Sequence, residues 1–214
     1  MTNDALPLDL DAYLNRIGYT GDRKPTLDVL NALHLAHATH IPFENLDILL
    51  GRPIRLDLAS LQAKLVAGHR GGYCFEHNLL VRAVLESLGY VVKPLAARVR
   101  LGEPRLRART HMLLMVTVEN TPMIADVGFG GGGLLHPIPL AEALPVRHYA
   151  WEYRLIREGS AWVLQSLTEA QWMDLYTFTL DRQYRIDYEV ANYYVSTHPN
   201  AQFTQGLFVQ QATP

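Results

Sequence analysis

A single cysteine in 214 residues, Cys74, has no partner for an internal disulfide, so burial and hydrogen bonding must hold the fold. An excess of one charge sign is also missing. The 19 Lys and Arg residues stand against 21 Asp and Glu, a net −2, which lacks the basic surplus of a nucleic-acid footprint. No apolar run approaches the roughly 20 residues of a membrane-spanning helix. The start, Met1-Thr2-Asn3-Asp4-Ala5, has neither a basic region nor an apolar signal core. Low-complexity tracts are absent as well. With 49% hydrophobic residues, the chain reads as a cytoplasmic globular protein with one or two ordinary cores and no nucleic-acid or membrane partner. A reducing compartment would suit a free thiol, and nothing specifies an oligomeric state.

What the chain does carry is a dense stretch, Arg70-Gly71-Gly72-Tyr73-Cys74-Phe75-Glu76-His77-Asn78. The glycines tolerate positive φ and close backbone approach, so they predict a sharp turn delivering Cys74 to a helix start. Leu80, Val81, Val84, Leu85 and Leu88 recur at spacings of three and four, and Gly89 stands where the helix should stop. Unpaired N–H groups and the positive dipole end there favour a thiolate. A buried, inert cysteine is the competing reading. A base and an orienting group are both available: His111 opens the apolar run Met112–Val118, and Asp126 closes the run that starts at Met123. A His and an Asp in apolar, strand-like sequence are costly unless paired. His77, three residues after Cys74 and on the same helical surface, is a local alternative base, with Glu76 and Arg70 supplying structural hydrogen bonds.

These motifs, with the Thr110-His111 run, Ala125-Asp126-Val127-Gly128-Phe129-Gly130 and the upstream Ile41-Pro42-Phe43-Glu44-Asn45-Leu46-Asp47, together resemble the bacterial arylamine N-acetyltransferases. The resemblance implies a cysteine-proteinase-like triad of Cys74, His111 and Asp126. It implies that Cys74 takes acetyl from acetyl-CoA and passes it to an arylamine or arylhydrazine nitrogen by ping-pong chemistry, without a metal. It further implies coenzyme contacts at Thr110, Gly128, Gly130 and Gly131, and acceptor contacts at Phe43, Tyr73 and Phe129; plain core packing is the alternative for the two Phe residues. Related readings are an amide synthase of macrocycle biosynthesis, a transglutaminase-like or papain-like cysteine hydrolase, and a non-catalytic binding protein.

In chain order, Leu8–Ile17, Thr26–Thr39, Leu58–Ala67 and the Cys74 segment predict four helices in a bundle over residues 1–90, with Phe43–Leu50 as an ordered loop. From Tyr90 the β-branched and apolar runs predict an antiparallel sheet or barrel over about 91–180, including a hairpin around Glu158-Gly159-Ser160. The fold class is α+β, an N-terminal helical bundle packed on an antiparallel β-barrel or sheet. A helix over Asp187–Ser196 closes the second domain, 91–195. Residues 196–214 are the start of a third, lid-like α/β region that family members carry at greater length, so it is expected to be largely absent. A tight turn between Asn120 and Thr121 would set His111 opposite Gly130. Bringing it to Asp126 requires a displaced turn, a bulge or a diagonal contact.

Three further features carry weaker signals. His34, His37 and His40 lie three apart on one helix without a Cys or carboxylate at ligand spacing, which favours a solvated or capping role over a metal site. The glycine segment 128–133 could approach a phosphate closely, but lacks the Lys-Ser/Thr ending of a nucleotide loop. Arg98, Arg100, Arg105, Arg107 and Arg109 alternate along an expected hairpin around Leu101–Pro104, giving a basic, mainly solvated face that could attract phosphates.

Overall fold

The structure is a computed structural model that describes residues 7–102 and 106–213. The chain start Met1–Ala5 and the expected turn at Glu103 and Pro104 with Arg105 fall outside the described residues.

Helix α1 (Leu10–Arg16) begins where Asp9 accepts from Ala12 N–H at 2.9 Å, and α2 (Leu27–His40) begins at Thr26, which accepts from Val29 N–H. The expected loop after Pro42 is instead a short strand β1 (Phe43–Glu44) and a helical turn α3 (Leu46–Leu49). Asp57 caps α4 (Leu58–Leu61), which widens into a π-helical stretch over Gln62–Ala67; Gly68 N–H then reaches five residues back to Ala63 O. Helix α5 (Cys74–Ser87) starts on the cysteine, buries Leu80, Val81, Val84 and Leu85, and gives way to Gly89 at φ +91°.

The strands follow: β2 (Val91–Val99), β3 (His111–Val118), β4 (Thr121–Ala125), β5 (Ile138–Pro139), β6 (Val146–His148), β7 (Trp151–Glu158), β8 (Ala161–Thr168) and β9 (Gln171–Phe178). They form one antiparallel sheet in the order β5-β4-β3-β2-β9-β8-β7-β6. Helix α6 (Arg185–Thr197), α7 (Gln202–Gln205) and β10 (Val209–Gln210) complete the chain, and β10 pairs with β1. The hairpin at Gly159-Ser160 is as expected, but the arginine hairpin is not: β2 stops at Val99 and residues 106–110 are not strand. Arg100 is tied to Glu158 and Asp174, and Arg98 donates to Arg107 O.

The uninterrupted apolar run of β3 has a simple cause: both its faces are buried. Met112, Leu114 and Val116 pack with the helices in one core, to which Tyr188 and Val195 of α6 also belong. Leu113 joins a second core with Leu95, Ile124, Leu164 and Tyr176 on the other face. The β3–β4 turn is centred between Glu119 and Asn120, one residue earlier than expected, and both adopt positive φ, 49° and 65°. The ladder therefore pairs Val118 with Thr121 and ends at Leu114 opposite Ala125.

Candidate active site

Continued past its last pair, that ladder would set His111 opposite Gly128 and Asp126 opposite Leu113. His111 and Asp126 thus lie on the same face as Leu113 and Ile124, two positions apart along the strands, and their side chains meet diagonally. His111 Nε2 lies 2.6 Å from Asp126 Oδ2, with both residues buried. The register problem left by the sequence is settled by a displaced turn and a diagonal contact together.

Three donors converge on the Asp126 carboxylate. Besides His111, Asn78 Nδ2 donates to Oδ1 at 3.1 Å and Gly128 N–H donates to the same oxygen at 3.0 Å. Burial alone would raise the Asp126 carboxyl, but the His111 charge and these hydrogen bonds hold it below the usual carboxylate range. For His111 burial favours the neutral ring; the Asp126 charge and hydrogen bond, with a hydrogen bond to Cys74, outweigh it and raise its pKa well above the ordinary value. Since Nε2 is taken by Asp126, Nδ1 is left for the thiol.

Cys74, the first residue of α5, is 3% exposed, and its thiol also reaches Thr110 O at 3.6 Å. Gly71 and Gly72 do not have positive φ; their value lies in close approach. A Cβ on Gly71 would collide with Pro42 O, and one on Gly128 would sit 2.8 Å from Cys74 Cα. Asn78 was missed in the sequence, although its position one helical turn after Cys74 marks it as facing the same way. It also accepts from Val127 N–H and donates to Met112 O, and so ties α5 to both arms of the hairpin. Tyr176, equally unforeseen, lies against the His111 ring at 5.0 Å.

A cleft of about 610 Å³ opens onto Cys74 and His111. Phe43, Phe129, Thr110, Gly128 and Gly131 line it, joined by Val99, Phe203 and Phe208, which the sequence did not single out. Gly130 lines an adjoining cavity of about 220 Å³ instead. Tyr73 is not in the cleft wall: it is fully buried, bonds Asn192 through its hydroxyl and packs on Phe75 and Phe203. Beneath the loop, Arg70 and Glu76 belong to a chain of charges, Glu44–Arg70–Asp47–Lys64–Glu76, with closest contacts of 2.7, 3.4, 2.9 and 2.8 Å in turn.

The helical histidines behave differently from expectation. His34 and His37 are buried, not solvated: His34 Nε2 accepts from Asp126 N–H at 3.1 Å, and only His40 is exposed. No group of three or more His, Cys, Asp or Glu able to hold a metal ion occurs among the described residues. His77 has both ring nitrogens engaged, by His37 and by the carbonyls of Gly72 and Pro42, which removes it as a base for Cys74.

The pattern of the N-acetyltransferase family matches residues 26–214 of this chain. The arylamine N-acetyltransferase of Mycolicibacterium smegmatis is 46% identical over 97% of this chain and 78% of its own length. The arylamine N-acetyltransferase structure from Salmonella typhimurium superposes with a TM-score of 0.94 at 41% identity, covering 97% of this chain and 77% of that one. The Mycobacterium marinum arylamine N-acetyltransferase in complex with CoA has a TM-score of 0.93 at 41% identity, covering 96% and 78%. The chain belongs to the arylamine N-acetyltransferase family.

Proposed function

We propose that this protein moves acetyl from acetyl-CoA to the nitrogen of an arylamine or arylhydrazine in two half-reactions through a thioester on Cys74. In the first, the Cys74 sulfur attacks the thioester carbonyl, the bond to the coenzyme sulfur breaks, and His111 gives its proton to the departing thiolate. In the second, the amine nitrogen attacks the acetyl carbon, His111 takes the amine proton, and Cys74 leaves. Asp126 fixes the imidazole and compensates its charge, as the third member of such a triad does. N–H groups of the first turn of α5 steady the oxyanion in both steps. Residues 1–90 deliver the nucleophile and 91–195 the His–Asp pair.

Thr110, Gly128, Gly130 and Gly131 are assigned to the coenzyme side, and Phe43 and Phe129 to the acceptor, while Tyr73 supports the loop from below. No helix among the described residues is long and apolar enough to cross a membrane. The cytoplasm, where thiols stay reduced, suits this chemistry.

The observation that carries the reading is that Cys74 and His111 line the same aromatic-walled cleft, with His111 held from behind by a buried Asp126 that three donors keep ionised. The test is intact-mass measurement after mixing with acetyl-CoA without an amine. One acetyl group should appear on Cys74, leave when an arylamine is added, and be absent in Cys74→Ser. Substantial acetyl transfer by Cys74→Ser would overturn the assignment.

A further inference from the structure

Next to the catalytic contact, but taking no part in it, three buried side chains from three helices form an unbranched chain. Tyr13 of α1, His37 of α2 and His77 of α5 are 1%, 0% and 1% exposed. Tyr13 Oη lies 2.9 Å from His37 Nδ1, and His37 Nε2 lies 2.7 Å from His77 Nδ1. His77 Nε2 reaches two carbonyl oxygens, Gly72 at 3.0 Å and Pro42 at 3.2 Å.

The carbonyls set the direction of the whole chain. A carbonyl only accepts, so His77 carries its hydrogen on Nε2 and its Nδ1 must accept. His37 then donates through Nε2 and accepts at Nδ1, and Tyr13 donates its hydroxyl hydrogen. Reversing the chain would leave the Tyr13 hydrogen unpaired in a buried site, since its hydroxyl has no other partner among the described residues. Each member is satisfied in one direction only, with no net charge.

The anchored carbonyls belong to the two segments that cross immediately before the nucleophile. Gly72 O also accepts from Glu44 N–H at 2.7 Å, Pro42 O accepts from Gly72 N–H at 3.3 Å, and Phe43 bridges to Gly72. The His77 ring is also parallel to that of Phe43, a wall of the cleft, at 6.4 Å between centroids.

We propose that Tyr13, His37 and His77 form a one-directional neutral relay that positions Cys74 and Phe43, the His77 N–H locking the Pro42 and Gly72 carbonyls. The three are positioning residues and touch no substrate; the proposal rests on Cys74 being the nucleophile. The surroundings suit a neutral chain. Burial lowers His77 to about 4 and His37 well below the ordinary value. Lys64 also opposes a proton on His77, while Asp126 favours one; Arg16 and His34 oppose one on His37.

The direct test is long-range ¹H–¹⁵N correlation of the ring nitrogens in the ¹⁵N-labelled full chain. His37 and His77 should both be neutral Nε2–H tautomers at pH 7 and remain so at pH 5.5. An Nδ1–H tautomer or an imidazolium on either would overturn the proposal. The kinetic arm uses acetyl-CoA and an arylamine. His77→Leu should lower kcat about tenfold with little change in KM, because a small misplacement of a reacting group is felt mainly in the chemical step. His77→Gln should restore most of it, since its amide donates and accepts in the same order. Wild-type kcat in His77→Leu, or no rescue by Gln, would overturn the positioning role. If His77→Leu does not fold, Tyr13→Phe carries the test: it should slow Cys74 acetylation while His37 keeps its Nε2–H, since the carbonyls still direct the chain, and a wild-type acetylation rate or loss of that tautomer would count against the relay. Cys74→Ser is run alongside. Full turnover there would sink the nucleophile reading, while the tautomers report on the relay by themselves.

Discussion

Two networks hold the loop in front of Cys74, and they are built on opposite principles. On one side Glu44, Arg70, Asp47, Lys64 and Glu76 alternate acid and base, with Glu44 and Glu76 almost wholly buried and burial raising the Glu76 carboxyl to about 7 against the pull of Lys64. On the other, Tyr13, His37 and His77 carry no charge at all. Both reach the same backbone: Glu76 accepts from Tyr73 N–H at 3.1 Å, and His77 donates to Gly72 O. The charged network fails when one member is taken away, because the remaining charge is left buried without compensation. The neutral one fails when a proton is added, because an acceptor becomes a donor.

The largest separation between the two should come from Lys64→Met, which strips the cation from Glu76. A loss of about 3–5 kcal/mol in urea unfolding is expected, with Lys64→Met/Glu76→Leu recovering a good part of it. A loss below about 1 kcal/mol would mean that the charges are solvated.

Acid should single out the neutral side. His37 and His77 have pKa values lowered by burial, well below 6.5 and to about 4, and His34 and His148, outside that network, are lowered by burial to about 3 and about 4. The unfolded chain takes up protons below about pH 6.5 that the folded one refuses, so their stabilisation is present above that pH and is lost as pH falls. At its steepest, near pH 5, the loss from these four groups should reach up to about 5 kcal/mol per pH unit. His111 acts with the opposite sign: its raised value gives stability that is complete below about pH 6.5 and lost as pH rises through the folded value. Urea midpoints across pH should therefore peak between the two regimes, and a flat profile from pH 5 to 7 would contradict the buried, neutral assignment.

His37→Leu leaves both the Tyr13 hydroxyl and His77 Nδ1 without a partner, at an expected cost of about 1–3 kcal/mol at pH 7. The same variant should have a shallower acid slope than the parent. Smallest of all is Arg82→Ala, which removes an exposed i,i+4 pair with Glu86; calorimetry should register about 0.5 kcal/mol or less.

The residues with the strongest local signals were those the sequence placed well. Thr26 and Asp57 begin helices because their side chains satisfy free N–H groups, and Gly89 ends one. Cys74 opens α5 as its surroundings imply. His111 and Asp126 could be nominated because polar groups in apolar strands need partners, but not joined, since their meeting depends on the displaced turn. His34 and His37 are buried against expectation: their partners, Asp126 and Tyr13 with His77, are far away in sequence, and three-residue spacing does not reveal what a helix face meets. Asn78, Phe203 and Phe208 escaped for the same reason. The arginine alternation misled because period two in polar residues reports a strand only when a neighbouring strand is there to pair.

The turn at Glu119-Asn120 also makes chain length a variable of the site. His111 and Asp126 are fifteen positions apart. One residue added within either arm would turn that arm over beyond the insertion and send one of the two side chains to the helical face. Two added residues would keep the faces but slide one arm by about 7 Å, well beyond hydrogen-bond reach. Insertions between Gly159 and Ser160, at the far hairpin, would leave this spacing untouched. The interval between the histidine and the aspartate is therefore under as tight a constraint as the identity of either residue.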